Sequence, residues 1–267
     1  MSDADGVLED LLDLEELDTN LYRAGNPAEL YMPHLYGGQV AAQALRAAAH
    51  TVPEGRHPHS IHGYFLRGGR PDQPTIMAVD RDRDGGSFSA RHVNALQDGE
   101  VIFSALASFH TDETSVDHHL PQLPDDAGDP DSMPEHERVG HNAIFDMRYS
   151  LPGDGEMWAA SRMWSRPRSP LPDDRVTRAC ALTYLSDMGW AFSSMPETKG
   201  MGGPSLDHAV WFHRSVTINQ WLLLDLQPVS VAGTRGMYTG TVHDRAGTLA
   251  ASLAQEKLLR APRPRGE

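Results

Sequence analysis

Asp187 is the residue of this chain whose type and position most invite a chemical reading. It follows an apolar helical stretch carrying Val176, Ala179, Cys180, Leu182 and Leu185 on one side, so it stands near a helix C-terminus. A carboxylate there faces the negative end of the helix dipole, which disfavours ionisation and makes the group a better proton acceptor. The same position also suits an Asp that caps a turn with Ser186 before Gly189. Gln255 alternates with Leu249, Ala251 and Leu253, which puts its amide on an apolar strand face. An amide so placed is either satisfied by backbone groups or takes part in chemistry. Ser205 alone reads as a turn or strand-start residue. Gly37-Gly38-Gln39 opens another helical stretch. Its backbone N–H groups suit either an approaching oxygen or tight packing of the helix start against a sheet.

Other chemistries fit poorly. His208 and His213 are five apart on an expected strand, hence on opposite faces, and His118-His119 lies in a polar segment; neither makes a metal set, and no metal or cofactor is expected. Gly85-Gly86-Ser87-Phe88-Ser89 lacks the final glycine of a nucleophile elbow. Cys180, the one cysteine, has no partner for a bridge within the chain and reads as a small buried thiol compatible with a reducing compartment. A formal charge of −14 argues against nucleic acid as a partner. Any anionic substrate needs local cations, for which Arg67, Arg70, Arg81, Arg83, Arg91, Arg214 and Arg235 are available. Residues 1–18 are acidic and amphipathic, unlike an export signal, and no apolar run is long enough to cross a bilayer. A soluble cytoplasmic protein is expected.

The elements that must position these residues repeat. An acidic, Pro-rich linker over 113–145 separates a first unit, 1–112, from a second, 146–262, followed by a tail, 263–267. In the first unit a helix begins at Gly37-Gly38, carries Val40, Ala41, Ala44, Leu45 and Ala48 at helical spacing, and stops at Thr51-Val52-Pro53. Strands follow over 60–66, 75–81, 86–96 and 100–109, with Gln97-Asp98-Gly99 as a hairpin turn. In the second unit Leu171-Pro172-Asp173-Asp174 starts the helix that ends near Asp187. Strands follow over 205–216, 221–231, 236–244 and 248–259, the last pair joined through Arg245-Ala246-Gly247. Tyr64-Phe65-Leu66-Arg67 echoes Trp211-Phe212-His213-Arg214. The fold class is therefore α+β, with two tandem units, each an antiparallel sheet wrapped around a long helix.

Three motifs of the first half carry a family likeness: Leu35-Tyr36-Gly37-Gly38-Gln39-Val40, His59-Ser60-Ile61-His62-Gly63-Tyr64-Phe65-Leu66-Arg67, and Arg83-Asp84-Gly85-Gly86-Ser87-Phe88-Ser89-Ala90-Arg91. Tyr184-Leu185-Ser186-Asp187, Leu206-Asp207-His208-Ala209-Val210-Trp211-Phe212-His213-Arg214 and Ala254-Gln255-Glu256 continue it. In this order, over residues 8–260, they resemble the bacterial type II acyl-CoA thioesterases, which have peroxisomal relatives. The resemblance implies a double hotdog fold, an acyl-CoA substrate, no cofactor, and a homo-oligomer. It also implies hydrolysis of fatty acyl-CoA to fatty acid and CoA by an Asp-activated water, without a covalent intermediate. Motif matching assigns that chemistry to Asp187, Ser205 and Gln255, with Ser205 standing where Thr is usual. A hotdog enoyl-CoA hydratase would pair an Asp with a His five residues later, where this chain has Phe192. A non-catalytic acyl-CoA binding or sensing protein of the same fold would have lost the water-activating set.

Overall fold

A computed structural model describes residues 7–27, 33–135, 140–149 and 161–261. The expected tail, 263–267, and part of the expected linker lie outside these residues. The elements are α1 (Val7–Leu12), β1 (Glu15–Asp18), β2 (Leu21–Ala24), α2 (Gly37–His50), β3 (Arg56–Phe65), β4 (Thr75–Asp84), β5 (Phe88–Gln97), β6 (Glu100–Thr111), β7 (Phe145–Tyr149), β8 (Arg162–Pro167), α3 (Arg175–Ser186), β9 (Asp207–Phe212), β10 (Leu222–Ala232), β11 (Arg235–Asp244) and β12 (Leu249–Leu258).

Local chemistry accounts for the main boundaries. Asp98 and Gly99 both have positive φ, 51° and 79°, the conformation that a two-residue hairpin turn requires between β5 and β6. Asp174 caps α3 by accepting from the backbone N–H groups of Val176 and Thr177 at 3.0 and 2.9 Å. In β3 the register shifts between Pro58 and Ser60, so the proline, which has no N–H to donate, falls at an irregularity and the strand begins earlier than expected. The expected strand over 205–216 is shorter, Asp207–Phe212.

The strands form one sheet in the order β1-β2-β4-β5-β6-β3-β9-β12-β11-β10-β8-β7, antiparallel at every pairing described. Read outward from the β3–β9 seam, the two halves have the same order, so the units face each other across a pseudo-two-fold axis. Ser60 stands opposite Trp211 and Tyr64 opposite Asp207 at that seam. The two strands whose sequences echo each other are thus the two that join the halves.

Helices α2 and α3 lie against each other inside the curved sheet. Ala41, Ala42, Ala44, Ala47 and Ala48 are buried on α2, and side chains this small let a second helix and the sheet approach together. Phe65 and Phe212 pack toward this core, whereas Tyr64 and Trp211 point to the other face and are 62% and 37% exposed. The linker is no loose tether. Trp164 Nε1 donates to the Ala127 carbonyl at 2.9 Å and Trp221 Nε1 to Asp131 at 3.0 Å, while Arg245 holds Asp129 and Asp131. Ala127, Trp164, Trp221 and Leu223 form a second, small core beneath this strap. Elements α1, β1, β2, β7 and β8 were not expected; they are short, and β1 is exposed throughout, so it carries no alternation to read.

Candidate active site

Asp187 occupies the C-cap of α3, with its backbone N–H bonded to the Leu185 carbonyl. Ser205 lies just before β9, where it bridges to Lys257, and Gln255 lies on β12 facing inward, 1% exposed. These segments bring the three side chains together. Gln255 Nε2 donates to Asp187 Oδ1 at 2.8 Å and to Ser205 Oγ at 2.5 Å, and Ser205 Oγ donates to Asp187 Oδ1 at 3.3 Å. Asp187 and Ser205 are only half-buried, so the acid and the alcohol lie at the open side of the cluster and the amide at its closed side.

The other carboxylate oxygen belongs to the first unit. Gly38 N–H, in the first turn of α2, donates to Asp187 Oδ2 at 2.8 Å. The negative end of α3 and the positive end of α2 therefore meet at one carboxylate, so the α3 dipole does not act on it alone. Both readings of Gly37-Gly38 have physical content here. A Cβ on Gly37 would lie 2.8 Å from Asp187 Oδ2, and one on Gly38 would lie 2.6 Å from the Tyr184 carbonyl oxygen. The glycines admit close approach, and the N–H that results is engaged by the acid.

The surrounding shell was not legible beforehand. Tyr36 donates to the Tyr184 carbonyl at 2.9 Å, and its ring stacks on His141 at 4.2 Å. Burial first, and then the charge of Asp187, holds the Tyr36, Tyr184 and Tyr238 hydroxyls well above the usual tyrosine range, so they remain neutral donors. Burial also lowers His141 and His208 below the ordinary imidazole value, against the opposing pull of Asp187. Lys257 is lowered likewise by burial, with its ammonium 4.7 Å from the centre of the Trp190 ring.

At the mirrored place in the first unit the C-cap of α2 is Thr51. The fully buried Arg91 donates to Thr51 Oγ1 at 2.8 Å, to the Thr51 carbonyl at 3.0 Å and to Asp84 at 2.8 Å. A guanidinium thus binds the C-cap of α2, where the C-cap of α3 carries a carboxylate. Of the arginines available for an anion, Arg91 is committed inside the protein, and Arg67, Arg70, Arg214 and Arg235 each pair with a carboxylate at the surface.

Models of the acyl-CoA thioesterase N-terminal and C-terminal domains match residues 27–110 and 117–259 respectively. The chain belongs to the type II acyl-CoA thioesterase family. It is 32% identical to acyl-CoA thioesterase 2 of Haemophilus influenzae, covering 97% of this chain and 99% of that one, and 31% identical to human acyl-coenzyme A thioesterase 8, covering 94% and 88%. The crystal structure of an acyl-CoA thioesterase II from Mycobacterium marinum superposes with a TM-score of 0.81 at 38% identity, over 98% of this chain and 100% of that chain. A hot dog fold protein from Alicyclobacillus acidocaldarius, 22% identical, has a TM-score of 0.82 over 96% and 99%, which bears on the fold alone. The double hotdog architecture and an acyl-CoA thioester hydrolase activity, both expected of this type II thioesterase, follow from these likenesses. No helix among the described residues is long and apolar enough to cross a membrane, and no group of metal ligands occurs among them.

Proposed function

We propose that this thioesterase hydrolyses fatty acyl-CoA to fatty acid and CoA with a water held by Asp187, Ser205 and Gln255, and with Asp187 as the base. The convergence of one acid, one alcohol and one amide, joined by contacts of 2.5–3.3 Å at a half-open position, is the observation that carries this reading. A thioester carbonyl is already electrophilic, so hydrolysis needs a positioned water, an acceptor for its proton and donors for the developing oxyanion. The water oxygen adds to the carbonyl carbon as its proton passes to Asp187. Collapse of the tetrahedral adduct breaks the C–S bond, and the thiolate leaves as CoA thiol by taking up that proton. Ser205 fixes the direction of the water, and the Gln255 amide donates to the water or to the oxyanion. No bond to the protein forms at any stage.

A single turnover in ¹⁸O-water distinguishes this route from attack by the carboxylate itself. Attack by water places the label in the fatty acid during the first turnover, whereas label entering the Asp187 side chain, from hydrolysis of an acyl–carboxylate anhydride, would reject the water route. A cytoplasmic homo-oligomer is part of the same reading. The buried free Cys180 suits a reducing compartment, and Tyr64, Leu66 and Leu106, 62%, 52% and 50% exposed, give a second copy apolar surface to cover. Sedimentation of the purified protein at the mass of one chain would reject the assembly.

A further inference from the structure

His208 lies on β9 directly across from Gln255. The pairing that sets Val210 opposite Leu253 and Ala209 opposite Ala254 brings His208 and Gln255 opposite each other at the next step, their side chains on one face. Both are buried, at 2% and 1% exposure, and each has one polar atom without a partner of ordinary geometry: His208 Nδ1 and Gln255 Oε1. On its other side the imidazole meets Ser186 Oγ at 2.7 Å from Nε2, and Ser186 adjoins Asp187 in sequence. The third neighbour, across β3, is Gly63, which offers no side chain.

The tautomer with its proton on Nδ1 leaves fewer buried acceptors without a donor than its alternative. With the proton on Nε2, the Nδ1 lone pair would face the carbonyl oxygen of Gln255, leaving two buried acceptors without a donor. With the proton on Nδ1, His208 donates toward Gln255 Oε1 and Nε2 accepts from the Ser186 hydroxyl, which otherwise donates to the Thr183 carbonyl at 2.9 Å. Burial keeps the imidazole neutral, and the Gln255 carboxamide acts on it as an acceptor, which opposes that effect. We propose that His208 is a positioning residue which, carrying its proton on Nδ1, fixes the Gln255 carboxamide with Oε1 toward β9 and Nε2 toward Asp187 and Ser205. The relay Ser186–His208–Gln255 thereby ties the amide to the end of the same helix that presents the acid. His208 acts through Gln255, so the inference rests on the role given above to that residue.

A double-mutant cycle read by thiol release tests it. Gln255→Ala lowers kcat about a hundredfold, and His208→Leu alone lowers it about tenfold with little change in KM. Adding His208→Leu to Gln255→Ala then produces no further loss. Losses that multiply in the double variant overturn the positioning role while leaving Gln255 in place. An unchanged kcat in Gln255→Ala overturns the reading of the site, and the role of His208 with it. Should the leucine variant not fold, His208→Asn and His208→Gln decide. The Asn amide overlays Nδ1 and can donate to Gln255, whereas the Gln amide overlays Nε2 and cannot. The Asn variant retains several times the kcat of the Gln variant, and equal values in the two would refute the relay.

Discussion

Asp187→Asn removes the charge of the carboxylate and leaves its shape, and the contacts around it set the size of the effect. The carboxylate accepts from Gln255 Nε2 and Ser205 Oγ on Oδ1 and from Gly38 N–H on Oδ2. An Asn can keep only one of these sides. If its oxygen stays with Gln255 and Ser205, its NH₂ confronts the Gly38 N–H, and the reverse orientation sets it against both Gln255 and Ser205 instead. At least one donor is left unsatisfied either way, which destabilises the fold by about 1–3 kcal/mol. The catalytic loss is larger. A general base contributes about 10²–10⁴ in rate, or about 3–5.5 kcal/mol of barrier at roughly 1.4 kcal/mol per tenfold. Since the base acts on water in the transition state, kcat carries the loss and KM stays near its original value. The assay is release of CoA thiol from a panel of acyl-CoAs by a variant shown by thermal melting to be folded. A folded Asp187→Asn enzyme with kcat within about threefold of wild type would refute the assignment of Asp187 as the base.

Four further outcomes follow from particular contacts. Ser205→Ala lowers kcat by about 10–100-fold because the water loses one direction, and Ser205→Thr, which keeps the hydroxyl, recovers most of it in the same thiol-release assay. Gly38→Ala forces a Cβ to within 2.6 Å of the Tyr184 carbonyl oxygen; an overpacking cost of about 1–3 kcal/mol lowers Tm by about 2–12 °C in calorimetry. Asp84, hydrogen-bonded first by Ser89 and then by the buried Arg91, has its carboxyl held below the ordinary value of 3.8. Its contribution to stability is complete above that value and disappears as pH falls through the folded-state value, so urea midpoints of wild type and Asp84→Asn differ at pH 6 and converge in acid. Burial pushes the Cys180 thiol up to about 12. A thiol reagent at pH 8 therefore leaves the native protein unlabelled and modifies one site per chain after denaturation, as gel-shift or mass spectrometry reports.

What the sequence by itself determined lies at short range. The Asp98-Gly99 turn, the Asp174 cap and the Ala-rich spacing of α2 are decided by groups within a few residues of one another, so each could be read along the chain. The repeated order of helix and strands could be read in the same way, and the family likeness was carried by motifs such as Tyr184-Leu185-Ser186-Asp187. Spacing alone left Asp187 as either a base or a turn cap, Ser205 as a turn residue and Gln255 as an inward-facing amide. Tertiary structure decided what those residues meet. Asp187 lies 18 positions from Ser205, 68 from Gln255 and 149 from the Gly38 N–H that grips its second oxygen. No local propensity encodes such distances. They are set when β3 pairs with β9 and the two helices close against each other, which brings the positive end of one helix to the acid at the negative end of the other. The edge strands β1 and β7 and the strap over Trp164 and Trp221 were hidden for the same reason, since each is held by partners far away in the chain and carries too little periodicity of its own to announce itself.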